Sequence, residues 1–176
     1  MTKALRDPDP RCRAWAAYAA GQISGDVAKY LPAVRRQLWA TGLPPDTGER
    51  LRETSYIPAE VFEAWAGEAP DLIVAVAETL PTMYVGPLRH VLKGIERAGP
   101  KVNSAVPGLL RLLDRKPVRP TEGWSEEEDV VAVCGALAAI GPAARDAVPK
   151  LRVLANHPYP EIAAAAAHAA DRIEGR

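Results

Sequence analysis

Histidine and cysteine are the side chains of this chain that could carry out acid–base, redox or metal chemistry, and there are few of them. A metal site on a helix pairs a histidine with a second histidine four residues away or with a flanking carboxylate. His90, His157 and His168 have neither. Cys12 and Cys134 have no further cysteine or histidine at ligand spacing, so we interpret both as reduced, small core residues. These residue types indicate no cofactor, no metal ion and no catalytic residue.

The acidic run at residues 126–129 is the remaining candidate for cation binding. Ser125 followed by Glu128 matches a capping box, in which the two side chains bind backbone N–H groups at the start of a helix. Carboxylates in a first helical turn also interact favourably with the helix dipole. We therefore interpret the run as a helix start. Since the sequence also contains no glycine-rich phosphate loop and no nucleophile elbow, it predicts a protein that is not an enzyme.

The elements that position these residues repeat along the chain. GPKVNSAVPGLLRLL from Gly99 aligns with GPAARDAVPKLRVL from Gly141, and the paired residue numbers differ by 42. A weaker copy begins at Ser24, and DPDPRCRAWAAYAAGQI from Asp7 aligns with HPYPEIAAAAAHAADRI from His157. Self-similarity at steps of about 30 to 50 residues is typical of proteins built from stacked repeats.

Apolar residues within each copy recur at helical spacing. Val148, Leu151 and Leu154 follow one another every three residues, which predicts an amphipathic helix rather than a strand. Prolines and caps mark several helix starts. The predicted helices span residues 8–23, 26–40, 58–66, 70–80, 85–98, 100–114, 126–140, 142–155 and 160–173.

Three prolines, Pro32, Pro107 and Pro149, occupy one position of the repeat, about seven residues into their segments. A proline inside a helix costs about 3 kcal/mol, because its ring removes one hydrogen bond and clashes with the preceding turn. Either the helix kinks at each proline, or a short turn ends there and the helix restarts. Both alternatives fit the sequence.

The order of these signals resembles a HEAT repeat, the two-helix unit that stacks into α-solenoids. A unit shows GP, then VP and LL in its first helix, then a turn and an Ala-rich second helix. The resemblance covers residues 4–40 and 84–174, whereas residues 41–83 agree only in the number of helices. It implies an all-α fold of the bacterial HEAT-like type. The expected architecture is one domain, residues 1–176, an α-solenoid of about four and a half stacked repeats and about nine helices, with a divergent middle unit at 41–83.

In HEAT proteins the second helices line a concave groove, and the resemblance assigns residues of this chain to it. Arg89, Lys93 and Arg97 form a basic ridge at four-residue spacing. A floor of Ala, Gly and Val beside the ridge would seat a helix or an extended peptide. An ordinary solvated helix face is the alternative. The groove positions on the first and last of these helices include Arg11, Ala14, Tyr18, Gln22 and His168.

Two long connections, at residues 41–57 and 115–126, would project from one edge of such a stack. Insertions on one face of a repeat protein often mark its binding face. Trp124 has Lys116 and Arg119 nearby in the sequence, and tryptophan is a residue type that anchors interfaces. Trp39 is expected in the core instead. Insertions that are tolerated without a binding role would give the same sequence pattern.

Charge is balanced overall but unevenly distributed. The 22 basic and 22 acidic residues give net charges of +3 for residues 1–56, −5 for 57–83, +6 for 84–120 and −4 for 121–176. Alternating blocks favour a partner of complementary charge, and ordinary solvated faces are the alternative. Duplex nucleic acid requires many contacts from Lys and Arg to phosphates, so the flanking acidic segments make it an unlikely partner.

We therefore expect a non-catalytic scaffold that binds another protein or a peptide through the groove and the two connections. The alternative is nucleic-acid binding, or base chemistry of the kind done by HEAT-like DNA glycosylases. A third possibility, an accessory domain for cofactor attachment as in HEAT-like bilin lyases, has no specific support in the residues.

The ends of the predicted stack lack polar capping units, which solenoids need for solubility. The segment EIAAAAAHAADRI is apolar on most sides, so we expect end-to-end self-association or membership of a longer array. No stretch has the 18 or so consecutive apolar residues of a membrane-spanning helix, and the first ten residues contain no signal-peptide apolar region. A cytoplasmic protein without membrane contact is the expectation.

Overall fold

The computed structural model describes residues 3–40, 59–83, 85–114 and 126–176. Every regular element in these ranges is a helix, which confirms the all-α class. The α-helices are α1 (Pro10–Ser24), α2 (Val27–Ala40), α3 (Glu60–Trp65), α4 (Asp71–Val76), α5 (Val85–Ala98), α6 (Val106–Leu113), α7 (Glu126–Ile140), α8 (Val148–Leu154) and α9 (Pro160–Glu174). The 3-10 segments are η1 (Ala4–Arg6), η2 (Ala77–Thr82), η3 (Gly99–Ala105) and η4 (Gly141–Ala147).

Helix starts and ends follow the local sequence. The Asp9 side chain accepts a hydrogen bond of 2.8 Å from the backbone N–H of Arg11, which caps α1, and Pro10 occupies the first turn. Four helices, α1, α5, α7 and α9, are followed by a glycine with positive φ, an αL conformation that glycine adopts without steric cost. These glycines are Gly25, Gly99, Gly141 and Gly175.

The recurring prolines have two different structural roles. Pro107 and Pro149 lie in the first turn of α6 and α8, after 3-10 segments in which Val102 and Ala144 leave helical backbone geometry. The helix restarts at these two positions, where a missing N–H costs no hydrogen bond. Pro32 instead lies inside α2. The predicted helices 100–114 and 142–155 are therefore each a 3-10 segment followed by a short α-helix.

The helices pack in two rows. The first row contains α2, α4 with η2, η3 with α6, and η4 with α8; the second row contains α1, α3, α5, α7 and α9. In the second row α3 packs against α5, α5 against α7, and α7 against α9. In the first row η3 packs against α4 and η4, and α6 packs against η2. Each second-row helix from α5 onward also contacts the first row, and the described residues place no helix against the side opposite to it.

Small residues set the distance between neighbouring helices. A Cβ atom at Gly94 would lie 2.3 Å from the Phe62 carbonyl oxygen of α3, and one at Gly108 would lie 2.2 Å from the Ala77 carbonyl oxygen of η2. Alanines fill much of the remaining core. Close backbone approach thus replaces large side chains in this core, as the low aromatic content of 6% requires.

The helices α1 and α2 contact α3 and α4 through side chains. Trp65 of α3 is buried, and its ring centroid lies 5.6 Å from that of Tyr18 on α1. A Cβ atom at Gly21 would lie 2.5 Å from Cζ2 of Trp65, so the indole fits against the glycine backbone. Arg35 of α2 donates two hydrogen bonds, of 2.8 and 2.7 Å, to the carboxylate of Asp71 on α4.

Two expectations about burial need correction. Cys134 is a buried core residue as predicted, but Cys12 is exposed, because α1 has no helix of the second row against the side on which Cys12 lies, in the part of the chain that the structure describes. Ala14 was expected to point into a groove and is fully buried instead. Trp39 lies outside the residues whose side chains are described.

One helical stretch of the described residues, Glu127–Leu154, passes a test of length and mean hydropathy for crossing a membrane. The stretch comprises most of α7 together with η4 and α8, and half of its most apolar window is buried against the rest of the protein. A core helix satisfies the same criteria, so this stretch is weak evidence for a membrane span.

Candidate functional site

The candidate site is the open face, which we define as the side of α5, α7 and α9 that is turned away from the first row, together with the adjoining residue Glu63 of α3. On each of the three helices, a set of exposed or half-exposed residues at spacings of three or four positions forms one stripe. These residues are Arg89, Lys93 and Arg97, with the adjacent Glu96, on α5; Glu128, Val131, Gly135 and Ala139 on α7; and Glu161, Ala164, His168 and Arg172 on α9.

Glu63 lies at the centre of a charged cluster between α3 and α5. Nδ1 of His90 is 2.9 Å from Oε2 of Glu63, and because a carboxylate only accepts, the histidine nitrogen donates. Arg97 donates to Oε1 at 3.3 Å and to the backbone oxygen of Glu63 at 2.9 Å, and Nζ of Lys93 is 3.7 Å from Oε1. The hydrogen bond from His90, and then the charges of Lys93 and Arg97, lower the pKa of Glu63.

The cluster reduces the net positive charge of the basic ridge. Two of the three ridge cations, Lys93 and Arg97, share the carboxylate of Glu63. Glu96 lies on the same helix and has a carboxylate against Gly135 of α7, where loss of water raises its pKa although the residue as a whole is exposed. The ridge is thus a surface of mixed charge, which favours specific pairing over general attraction of anions.

The side of α7 that belongs to the open face is apolar. Residues 130–140, VVAVCGALAAI, contain no charged side chain, so this helix is apolar on its half-exposed side as well as in the core. Val131, Gly135 and Ala139 are each half-exposed. They form an apolar strip between α5 and α9, and the Glu96 carboxylate of α5 lies against its middle residue, Gly135.

The other expected groove residues lie apart from this strip. Arg11 is exposed at the start of α1 and holds the carboxylate of Asp9 with its guanidinium. Tyr18 is half-buried against Trp65, and this burial raises its pKa. His168 is exposed on α9 and belongs to the open face. Lys116, Arg119 and Trp124, together with both long connections, lie outside the described residues.

Sequence reasoning missed two residues of the open face. Glu63 was overlooked because it lies in the short helix of the divergent unit, 27 positions before His90, and no repeat register relates the two. Glu96 was overlooked because it lies outside the four-residue spacing that relates Arg89, Lys93 and Arg97. The net charge of −5 for residues 57–83, directly before the +6 segment, was the available signal.

Among the described residues no group of three or more His, Cys, Asp or Glu side chains is arranged to hold a metal ion. Comparison of the chain with protein-family models, with curated proteins and with solved structures gave no match.

Proposed function

We propose that this chain is a HEAT-like α-solenoid and that its open face binds a segment of another protein without catalysing a reaction. The stacking of α3, α5, α7 and α9 in one row supports the solenoid, as does the recurrence of a left-handed glycine followed by proline at Gly99 and Gly141. In such stacks each unit contacts only its neighbours, and a continuous surface along the row is left for binding.

The apolar strip on α7 is the single observation that carries the binding proposal. Val131, Gly135 and Ala139 lie half-exposed on a helix whose solvent side would ordinarily be polar. Exposed apolar surface bordered by polar residues marks interaction sites. A helix or extended segment with apolar side chains would cover Val131 and Ala139, and its polar groups would meet the Glu96 carboxylate, which lies against Gly135.

The charged borders favour a protein partner over nucleic acid. Lys93 and Arg97 are paired with Glu63, while Glu96, Glu128 and Glu161 lie on the same face. A nucleic-acid phosphate would have to displace Glu63 from Lys93 and Arg97. It would also approach the carboxylates of the other three acidic residues, and repulsion between these negative charges opposes binding driven by the release of counterions. A polypeptide with interspersed charges of both signs would meet complementary groups instead.

A cross-linking experiment tests the proposal. A photoreactive amino acid is placed at Ala139 on the apolar strip or, as a control, at Ala143, which is exposed on η4 of the first row. We expect a specific protein adduct from position 139 in the source cell, its cross-linked peptide mapped by mass spectrometry, and no such adduct from position 143. The adduct should disappear when Val131→Glu places a charge on the strip.

Two outcomes would overturn the proposal. One is an adduct pattern that is the same at both positions or is unaffected by Val131→Glu. The other is a salt-sensitive mobility shift with duplex or single-stranded nucleic acid that Lys93→Glu and Arg97→Glu abolish. Variants of Lys116, Arg119 and Trp124 in the same assay show whether the second long connection contributes to binding.

A further inference from the structure

We propose that α1 carries a docking surface for a second copy of this chain, so that copies join head to tail. The docking surface is the α1 outer face, formed by Cys12, Trp15, Ala19 and Ile23. Its occupant is the α9 outer face of the next copy, which includes Ala164 and Ala167. The inference uses the stacked-repeat part of the proposed function and is independent of the partner bound on the open face.

The α1 outer face is an exposed apolar stripe. Its residues follow one another at spacings of three or four, so they lie on one side of the helix. Ile23 is 75% exposed and Trp15 is 48% exposed, and Cys12 and Ala19 are also exposed. A contiguous apolar patch of this kind marks an interaction site, and tryptophan is the residue type most enriched among interface anchors.

Two positions of the stripe, those of Ala19 and Ile23, are covered wherever the repeat recurs, and the counterparts of Trp15 are half-exposed. Ile23 corresponds to Ala98, Ile140 and Ile173, whose exposures are 4%, 0% and 1%. Residue 19 corresponds to positions 94, 136 and 169, all of which are buried. The α1 helix therefore has the sequence of a helix that is packed on this side, but the described residues place no second-row helix there.

Contacts of α5 show which neighbour covers this stripe. Gly94, the counterpart of Ala19, lies against the Phe62 backbone of α3, where an added Cβ atom would be 2.3 Å from the carbonyl oxygen. His90, the counterpart of Trp15, contacts Glu63 of α3. The stripe thus faces the preceding helix of the second row, and the missing neighbour of α1 is a helix of this kind.

The chain itself displays a matching surface on α9. On α5 the side that faces the following helix contains Arg89 and Glu96, since the Glu96 carboxylate lies against Gly135 of α7. The counterparts on α9 are Ala164, which is exposed, and Asp171, which is half-exposed. Ala167 is half-exposed on the same side. Small alanines there leave space for the bulky Trp15, so large and small residues face each other.

A second copy is therefore the occupant that continues an interface already present in the molecule. The contacts of α3 with α5, of α5 with α7 and of α7 with α9 form one series, and α9 with α1 of the next copy would extend it. The two surfaces differ, so the contact is heterologous and produces open chains rather than closed dimers. Such chains would also extend the open face from copy to copy.

Sedimentation velocity of the full chain over a range of concentrations tests this inference. We expect the weight-average mass to rise with concentration. Trp15→Glu and, separately, Ala164→Arg should each weaken the association by about tenfold or more, since each places a charge in an apolar contact. A mixture of the two variants should form one-to-one dimers that grow no further, because each variant keeps one intact surface.

Matched controls make the result decisive. Val74→Glu changes an exposed apolar residue of the first row and should leave the mass unchanged. Circular dichroism must show wild-type helicity for each variant, and Ile23→Ser provides a milder substitution if Trp15→Glu unfolds the protein. Val131→Glu should leave the mass unchanged, and Trp15→Glu should leave the cross-link at position 139 unchanged, which separates this inference from the binding proposal.

Three outcomes would overturn the inference. A wild-type monomer at every concentration would show that the stripe binds no second copy. Association that Trp15→Glu abolishes but Ala164→Arg leaves intact would indicate a symmetric contact between two α1 helices. An equal effect of Val74→Glu would show that association is unspecific.

Discussion

Glu63 of α3 and His90 of α5 are in contact at 2.9 Å between Oε2 and Nδ1, although they lie 27 residues apart in the chain. Lys93 and Arg97 contact the same carboxylate. One acidic residue of the divergent unit thus holds three side chains of the following helix. It fixes α3 against α5, the helix of the row at which the regular repeat sequence resumes.

Removing the carboxylate should change how stability depends on pH. The pKa of Glu63 is lowered in the folded protein by the hydrogen bond from His90 and by Lys93 and Arg97. The ionised carboxylate therefore stabilises the fold at pH values above its ordinary pKa of 4.5, and this stabilisation is lost as the pH falls through the folded pKa. Glu63→Gln should cost about 1 kcal/mol or less at neutral pH, since the partners are partly exposed.

The check is urea unfolding of both proteins at neutral and acidic pH. The difference in unfolding free energy between them should shrink as the pH falls. Glu60→Gln, an exposed change one turn earlier on the same helix, is the control and should follow the wild type. A difference between Glu63→Gln and wild type that is constant with pH would contradict the assignment.

Helix positions could be predicted well where the repeat is clear. The bounds of α5 and α7 agree with the sequence pattern, and α1, α2 and α9 differ from it by one or two residues. The pattern did not predict that residues 99–105 and 141–147 form 3-10 segments, because period-three apolar spacing fits both kinds of helix. Nor did it predict that Pro32 lies within a helix while Pro107 and Pro149 begin one.

Burial was harder to predict than helicity. Ile23 matches a repeat position that is buried in later units, and Cys12 was expected in the core, yet both are exposed. The sequence of a helix specifies which side is apolar, whereas burial depends on whether a neighbour covers that side. The open face shows the same limitation, because the contact of Glu63 with His90 joins units that no repeat register relates.

Gly94 should not tolerate a methyl group. A Cβ atom there would lie 2.3 Å from the Phe62 carbonyl oxygen and 2.8 Å from the Ile73 side chain, so α5 would have to move away from α3. Gly94→Ala should cost about 1–3 kcal/mol through overpacking, despite the higher helix propensity of alanine. Gly67→Ala is the control, because no atom lies within 4 Å of the added Cβ.

Thermal and urea unfolding of the two variants measure this effect. Gly67→Ala should change the unfolding free energy by no more than about 0.5 kcal/mol, as expected for a surface substitution. Equal stabilities of the two alanine variants would mean that α3 and α5 are not in close backbone contact.

Trp65 should be more costly to truncate than Trp15. It is 1% exposed and joins α1 to α3 through Tyr18 and Gly21. Trp65→Ala should cost about 3–5 kcal/mol because it leaves a large cavity. Trp65→Phe should cost less, since the indole Nε1 is buried and has no hydrogen-bond partner among the described residues.

Trp15→Ala provides the comparison for Trp65, because Trp15 is exposed on α1. Measured by urea unfolding in dilute solution, where association is negligible, it should cost about 0.5 kcal/mol or less. A larger loss from Trp15→Ala than from Trp65→Ala would contradict the placement of α1 relative to α3.

The two cysteines should differ in reactivity. Burial raises the pKa of the Cys134 thiol to about 11, so little of the nucleophilic thiolate forms at neutral pH, whereas Cys12 is exposed. A thiol reagent should label Cys12 at once and Cys134 only at the rate of unfolding. Cys12→Ser should abolish the rapid phase, and labelling of Cys134 at a comparable rate would show that α7 opens readily.

Gly141 offers a test of backbone strain without steric interference. Its φ is +70°, and no atom lies within 4 Å of an added Cβ. Gly141→Ala should therefore cost about 1–2 kcal/mol, the penalty of the left-handed conformation for an ordinary residue. Gly141→Asn should cost less, because asparagine tolerates this conformation after a helix. Urea unfolding of the two variants gives the order, and an alanine variant as stable as wild type would mean that α7 and η4 are joined by a backbone with negative φ.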